Sequence, residues 1–202
     1  MEVLKGVFLI RGEISNIYLV AKQGGYLLVD AGSQQDPPLV ISSIESLGLK
    51  PNQVKHILVT HYHWDHINGL PRLKEYTGAK VVAHKDEEDL LSKEGVSADI
   101  LLSHGDIIAG FQVIHSPGHT PGSACYLDLD REALFVGDLV YEENKELHEV
   151  DQQYTQDPAK NRESIANLLS YKFKHVMPGH GDPLLESGLE KLQSLVKRLK
   201  TK

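Results

Sequence analysis

Residues 61–66 of the chain read HYHWDH, so three imidazoles and one carboxylate lie within six positions. Imidazoles this close repel one another when protonated and need partners when neutral. In an extended segment, side chains two residues apart point the same way, so His61 and His63 can bind one ion together. Asp65 and His66 follow a change in chain direction and can face a second ion. Because imidazole and carboxylate suit zinc, iron or manganese, the run predicts a metal site on a rigidly held loop.

The length and composition of the chain narrow its class. Its 202 residues are enough for one domain with a sizeable core, so we expect a single domain over residues 1–202. The net charge of −7 at pH 7 argues against nucleic acid or a membrane surface as the main partner and leaves a small-molecule substrate. The single cysteine, Cys125, excludes an internal disulfide and is typical of the cytoplasm. We see no signal-peptide pattern and no apolar stretch long enough to span a membrane.

Hydrophobic patterning and turn residues predict two blocks of strands, each closed by helices. In the first block we expect strands at 3–10, 14–21, 26–30, 54–60 and 79–84, and helices at 36–48, 71–78 and 85–95. In the second block we expect strands near 107–115, 123–129 and 132–136, a strand and loop over 174–181, and helices at 157–170 and 183–200. This order of elements predicts two packed sheets with helices outside.

Four further ligand-type residues follow predicted strands, each within two positions of a glycine: Asp30, His119, Asp138 and His180. Loops at strand ends present functional groups from a rigid scaffold. Glycine lets the backbone of such a loop pass close to a site without a side-chain clash. The other six histidines lack comparable surroundings, and we interpret them as structural.

In this order the motifs resemble those of the metallo-β-lactamase fold superfamily, which includes the glyoxalase II-like hydrolases. The resemblance spans nearly the whole chain and implies an α/β fold, a four-layer αββα sandwich, with a two-metal site at one edge. It implies two divalent ions, with zinc favoured over iron or manganese. The implied ligands are His61, His63 and His119 for one ion, Asp65, His66 and His180 for the other, and Asp138 as a bridge, with Asp30 supporting the ligand loops through hydrogen bonds.

The resemblance also implies a hydrolase that cleaves an ester-type bond, a thioester or a lactone. A hydroxide held between two ions would attack the acyl carbonyl, and Asp65 would orient it or pass on a proton. Tyr141 has the spacing after Asp138 at which a tyrosine of the family's lactonases reaches the substrate oxygen, with a packing role as the alternative. Trp64 is interpreted as a substrate wall or a core residue. The polar segment 141–158 is expected to shape the substrate mouth, with a solvated connector as the alternative.

Differences between this sequence and other groups of the superfamily restrict the activity that the resemblance implies. True β-lactamases of this fold lack an aspartate at the position of Asp138, and flavodiiron reductases usually carry a glutamate at that of His63. Nuclease relatives carry an additional domain or an RNA-binding arm. Glyoxalase II has a helical domain that helps to hold glutathione, whereas 22 residues follow His180 here, which argues against glutathione thioesters.

Two alternatives stay open at this point. An iron-dependent persulfide dioxygenase would hold a single iron with His61, His119 and Asp138 and can retain the other motif residues. A metal-binding protein without catalysis is the second alternative. Such a protein is expected to lack one of the ligand residues, and all of them are present in this sequence. The substrate, the native metal and the oligomeric state do not follow from these motifs.

Overall fold

The structure, a computed structural model, describes residues 1–200. The chain divides into two compact units, residues 1–102 and residues 103 onward. Each unit contains one main sheet, and the expectation of a single domain over residues 1–202 stays a prediction. Within the described part of the chain, no helix combines the length and the apolar composition that a membrane span requires.

The first unit is built around a seven-stranded sheet. Its strands are β1 (Glu2–Leu4), β2 (Val7–Arg11), β3 (Asn16–Lys22), β4 (Gly25–Val29), β5 (Val54–Leu58), β6 (Lys80–His84) and β7 (Ile100–Leu102), which pair in chain order. Neighbours are antiparallel from β1 to β4 and parallel from β4 to β7. Parallel neighbours need crossover connections, and these contain α1 (Pro37–Ser46), α2 (Trp64–Ile67), α3 (Leu70–Thr77) and α4 (Glu88–Lys93).

Helices α1 and α3 cover one face of this sheet. Val40 and Ile44 of α1 and Leu73 of α3 are fully buried, in one cluster with the strand residues Ile57 and Val81. Burying each such side chain contributes about 1.5–3 kcal/mol. The sheet is therefore a firmly packed base for the loops that leave its strand ends.

Strands β4 and β5 are parallel neighbours, with Val29 paired to Leu58. Their carboxyl ends therefore meet at one edge of the sheet. Asp30 follows β4 directly, and the run at 61–66 begins shortly after β5 ends. The sheet thus brings two chemically distinctive segments of the chain into reach of each other.

The second unit contains a main sheet and a separate hairpin. Its strands are β8 (Ile107–Ile108), β9 (Phe111–His115), β10 (Ala124–Asp128), β11 (Ala133–Gly137), β12 (Val140–Glu143), β13 (Glu146–Glu149) and β14 (His175–Pro178). The main sheet has the order β14-β11-β10-β9-β8, and β12 pairs with β13. Helices α5 (Pro158–Asn167) and α6 (Gly188–Leu199) contribute Ile165, Leu192 and Val196 to its core. Because β11 and β14 are parallel neighbours, the loops that follow them leave the same edge.

Two predictions of a single strand are wrong, because a turn divides each segment into two strands. The strand predicted at 3–10 is interrupted by a turn that includes Gly6, so it forms β1 and β2. The strand predicted at 107–115 is a tight hairpin of β8 and β9. Ala109 and Gly110 turn it with φ values of 47° and 80°. Hydrophobic residues on both sides of these short turns conceal them in the sequence.

The helix predicted at 183–200 is wrong in its start, because α6 begins only at Gly188. Leu184 instead forms an antiparallel bridge with Val176. Glu186 then adopts a φ of 60°, which a right-handed helix does not accommodate. The apolar residues ahead of the helix therefore belong to the sheet and its connection.

Strand β7 and the β12–β13 hairpin lie outside the prediction. The hairpin turns at Asn144 and Lys145, which have φ values of 54° and 63°, typical of a type I′ turn. Its strands are rich in glutamate, so the alternation of apolar and polar residues that marks a strand is weak. Much of the segment 141–158 is thus regular structure, and its role at a substrate mouth stays a prediction.

Candidate metal-binding residues

The run at 61–66 lies where the chain leaves β5 and enters α2. His61 and His63 precede the helix, whereas Asp65 and His66 lie within it. All except His63 are buried. Nε2 of His61 lies 3.1 Å from Nδ1 of His63, and the ring centroids of His61 and His66 are 4.2 Å apart. The change from extended chain to helix therefore gathers all four side chains of the run into one place.

Asp30, at the end of β4, fixes this run through its carboxylate. Its Oδ1 accepts a hydrogen bond from the Thr60 amide at 2.8 Å. Its Oδ2 accepts one from the Thr60 hydroxyl at 2.8 Å and lies 2.8 Å from Nδ1 of His66. The φ of Asp30 is 60°, a conformation that aspartate adopts more readily than most residues. One buried carboxylate thus holds both the start and the end of the loop.

These contacts determine the tautomers of two imidazoles. The Thr60 hydroxyl has a single proton, which it donates to Asp30, so its oxygen must accept from Nδ1 of His61 at 3.0 Å. Nδ1 of His66 likewise donates to Asp30, because a carboxylate can only accept. In the neutral form of each ring, Nε2 is then the unprotonated nitrogen. Imidazoles that bind metals are commonly oriented in this way, by a hydrogen bond from their other nitrogen.

The surroundings of His66 fit a cation. Its Nε2 lies 3.4 Å from Oδ2 of Asp65, and in the neutral form of the ring both atoms carry lone pairs. Two such atoms repel each other unless positive charge lies close to them. A divalent ion supplies that charge, and imidazole with carboxylate is a suitable donor set for zinc, iron or manganese.

Two other buried side chains hold the same run. Oε1 of Glu87 accepts a hydrogen bond from the Tyr62 amide at 2.8 Å. The hydroxyl of Ser15 donates to the carbonyl oxygen of Asp65. These partners lie 25 and 50 residues from the positions they support. Sequence reasoning missed them, because glutamate and serine are common and nothing local marks their role.

In the second unit, Asp138 lies beside two imidazoles. Its Oδ2 is 3.2 Å from Nε2 of His180 and 3.8 Å from Nε2 of His119. Asp138 and His119 are buried, whereas His180 is partly exposed. Each side chain extends from a loop that follows a strand of the main sheet. This unit therefore offers the same donor types, with the carboxylate oxygen of Asp138 close to an imidazole nitrogen of each histidine.

Helix α5 and the residues before it support the loops of His119 and Asp138. The Gln156 amide donates to the carbonyl of His119 at 3.1 Å. The Ser164 hydroxyl donates to the carbonyl two residues before His119 at 2.7 Å. The buried side chain of Asn161 donates to the carbonyl of the residue after Asp138 at 3.3 Å. One helix therefore fixes two ligand-type loops, which the amphipathic pattern of its sequence does not indicate.

Tyr141 and Trp64, the two aromatic residues singled out in the sequence, have different surroundings. Tyr141 is partly exposed, and its ring stacks on that of His148 across the hairpin at 5.3 Å between centroids and 26° between planes. It therefore makes a packing contact, and a contact with substrate stays a prediction. Trp64 is 53% exposed, so the alternative of a core residue is wrong. Its role as a substrate wall stays a prediction.

The only cysteine does not supply a nucleophile. Cys125 is fully buried on β10. Burial raises the pKa of its thiol to about 12, against a smaller opposing effect of the hydrogen bond with Ser116. The reactive thiolate is therefore scarce near neutral pH.

Comparison with known families and sequences shows what the chain is similar to. The family model described as "Metallo-beta-lactamase superfamily" matches residues 10–180. The chain is similar to the hydroxyacylglutathione hydrolase of Pelagibacter ubique (strain HTCC1062), with 34% identity over 137 residues. That alignment covers 64% of this chain and 56% of the relative. The chain thus spans little more than half the length of this curated relative.

Solved structures show the same fold. A metallo-beta-lactamase of Cronobacter sakazakii with a HARLDQ motif has a TM-score of 0.79 and 20% identity, and the match covers 100% of this chain and 92% of that one. The protein TTHA1623 in a di-iron-bound form has a TM-score of 0.72 and 28% identity, and the match covers 91% of this chain and 96% of that one. The predicted α/β fold class, that of the metallo-β-lactamases, is confirmed.

Proposed function

The chain belongs to the metallo-β-lactamase superfamily, and from this we propose that it is a metal-dependent hydrolase of ester-type bonds. The proposed substrate is a small molecule with a thioester or lactone group. The observation that carries the proposal is the gathering of buried imidazoles and carboxylates in the loops of both units. Such donors are costly to bury unless they are paired or bind a metal.

We assign the donors to two divalent ions on the basis of family membership. His61, His63 and His119 would hold one ion, Asp65, His66 and His180 would hold the other, and Asp138 would bridge them. Zinc is the favoured metal because imidazole nitrogen dominates the donor set. Iron or manganese are the alternatives, and the di-iron form of TTHA1623 supports keeping iron among them.

When bound, two such ions lower the pKa of water, so that a nucleophile is available near neutral pH, and act as Lewis acids towards the acyl carbonyl oxygen. The chain's own residues would orient the reacting groups and transfer protons. The carboxylate of Asp65 would orient the attacking water or accept its proton, since it lies beside His66 in the ligand set. Asp30 and Thr60 keep the tautomers of His61 and His66 suited to binding.

The proposed bond type is supported by similarity to a hydroxyacylglutathione hydrolase, whose name gives an acyl glutathione as the substrate of that protein. Thioesters and lactones share an electrophilic acyl carbon and a leaving atom that a cation can stabilise. The buried, protonated Cys125 is consistent with a mechanism in which activated water, and not a side chain of the protein, attacks the acyl carbon.

Metal analysis combined with a substrate panel tests this proposal. We expect two divalent ions per chain and hydrolysis of at least one thioester or lactone. Activity should disappear after chelation and return with added Zn²⁺, Fe²⁺ or Mn²⁺. A single iron per chain, with oxygen uptake on persulfides, would support the dioxygenase alternative instead. Two bound ions without hydrolysis of any ester-type substrate would support metal binding without catalysis.

Replacing Tyr141 with phenylalanine tests whether its hydroxyl acts on the substrate. The variant keeps the ring that stacks on His148 and removes only the proposed donor to the acyl oxygen. A well-placed donor in a water-excluded site contributes about 10²–10³-fold to kcat. Because Tyr141 is partly exposed, we expect a loss of about 10-fold in kcat with metal content unchanged. A wild-type kcat on all substrates would assign Tyr141 to packing alone.

A further inference from the structure

Glu142 joins the β12–β13 hairpin to the loop that carries His180. Its backbone amide donates to the carbonyl oxygen of His180 at 3.0 Å. Its side-chain Oε2 accepts a hydrogen bond from the Asp182 amide at 2.6 Å. Its Oε1 accepts one from the Lys145 amide in the hairpin turn at 2.5 Å. One residue thus binds the backbone on both sides of His180 and the turn of its own hairpin.

The loop fits closely against this residue. Gly181 has a φ of 91°, and a Cβ added there would lie 2.1 Å from the carbonyl oxygen of Glu142. Only glycine allows the backbone to approach so closely in this conformation. The loop therefore follows the position of Glu142, with little room to adjust independently.

The hairpin itself is anchored to the two helices of the second unit. Glu149 of β13 forms a bidentate pair with Arg162 of α5, in which Nε and Nη2 of the arginine each donate to one carboxylate oxygen at 2.7 Å. Glu146 pairs with Lys191 of α6 at 2.5 Å, and Arg198 donates to the carbonyl of Leu147 at 2.5 Å. Hydrogen bonds between charged groups are stronger than neutral ones, and bidentate pairs also fix orientation. The hairpin is thus a fixed support and not a free extension.

We propose that Glu142 is a positioning residue, which fixes the imidazole of His180 at Asp138 by tying its loop to the anchored hairpin. The inference rests on the proposed function, because His180 matters as a metal ligand only there. Nε2 of His180 lies 3.2 Å from Oδ2 of Asp138, while its partly exposed ring lacks the close burial of His119. A side chain that packing holds less firmly depends more on its loop. Tyr141, next to Glu142, is fixed by the same support.

The carboxylate is needed for this role because both of its oxygens accept from backbone amides. Glutamine has one acceptor oxygen, and its amide group would face an N–H donor at the second position. Glu142→Gln therefore keeps the size of the side chain and breaks one of the two contacts. The exposed Glu143 on the same hairpin provides a matched control for the loss of one negative charge.

The test measures Zn²⁺ affinity by competition with a chelator, together with the thermal stability of the metal-free protein, for Glu142→Gln, Glu143→Gln and wild type. Loss of groups that orient metal ligands typically costs 10–100-fold in affinity. We expect Glu142→Gln to bind one ion 10–100-fold more weakly, with the other ion and the Tm of the metal-free protein near wild type. Glu143→Gln should match wild type in all measurements.

Two outcomes would overturn the role of Glu142. One is wild-type Zn²⁺ affinity in Glu142→Gln. The other is a weaker affinity for both ions together with a lower Tm of its metal-free form, which would show a structural role only. A wild-type protein that binds a single ion would count against the proposed two-ion site alone. The change in affinity between Glu142→Gln and wild type for that ion would still decide the role of Glu142.

Discussion

Asp138→Asn is expected to lose metal and activity together, with kcat/KM falling by more than about 10²-fold. Groups that only orient metal ligands already contribute 10–100-fold, and a bridging ligand should contribute more. Oδ2 of Asp138 lies close to Nε2 of both His119 and His180. An amide in its place keeps the shape and removes the negative charge that would be shared between two cations. Metal content after gel filtration and hydrolysis rates on the same samples measure both effects.

The matched control for this variant is Asp130→Asn, which removes the same charge from an exposed position in the same unit. It should keep two ions and wild-type rates. If Asp138→Asn retained both ions at wild-type affinity, the bridging role would be wrong, whatever happened to the rate. Loss of activity without loss of metal would instead indicate that Asp138 transfers a proton during the reaction.

Asp30→Ala should combine a large loss of stability with weakened metal binding. The substitution removes the acceptor of the Thr60 amide, the Thr60 hydroxyl and Nδ1 of His66, all of which are buried. An unsatisfied buried donor costs about 1–3 kcal/mol, so we expect the free energy of unfolding of the metal-free protein to fall by about 3–5 kcal/mol. Without Asp30, His61 and His66 lose their fixed tautomers, and Zn²⁺ affinity should fall by about 10–100-fold.

Asp128→Ala separates these two effects. Asp128 is also a fully buried carboxylate, and it accepts hydrogen bonds from the Asp130 amide at 3.0 Å and from Arg131 at 2.7 Å. Its loss should lower stability in urea unfolding and leave Zn²⁺ affinity at the wild-type value. Equal loss of affinity in Asp30→Ala and Asp128→Ala would mean that general destabilisation, and not the orientation of imidazoles, causes the effect.

The sequence reveals ligand-type residues more readily than the residues that support them. His61 stands out because it opens a dense run of imidazoles, and His119 and His180 stand out because each lies beside glycine in a loop after a strand. Thr60 and Glu142 belong to common residue types, and their roles arise only from contacts formed when distant segments meet. Local patterning contains no trace of such contacts, so these residues could not be predicted.

The fold was predictable where apolar residues repeat with a clear period. Strands β4, β5 and β6 and helix α1 lie close to their predicted positions, and the α/β class and family resemblance are confirmed. The β12–β13 hairpin was missed because its order comes from a turn at Asn144 and Lys145 and from ion pairs with the helices. Neither contribution gives the hydrophobic alternation by which strands are recognised.

The hydrogen bonds of Asp30 have a consequence for which metal the protein carries. Because Thr60 and Asp30 set the rings of His61 and His66 through protein contacts alone, these proposed ligands are preorganised before any ion arrives. Exchanging one divalent ion for another would then not require refolding of the first unit. Sites built from nitrogen and oxygen donors achieve selectivity through geometry and metal availability more than through affinity. The native metal would accordingly follow the supply in the host cell, and protein produced in media with different metals should contain different ions.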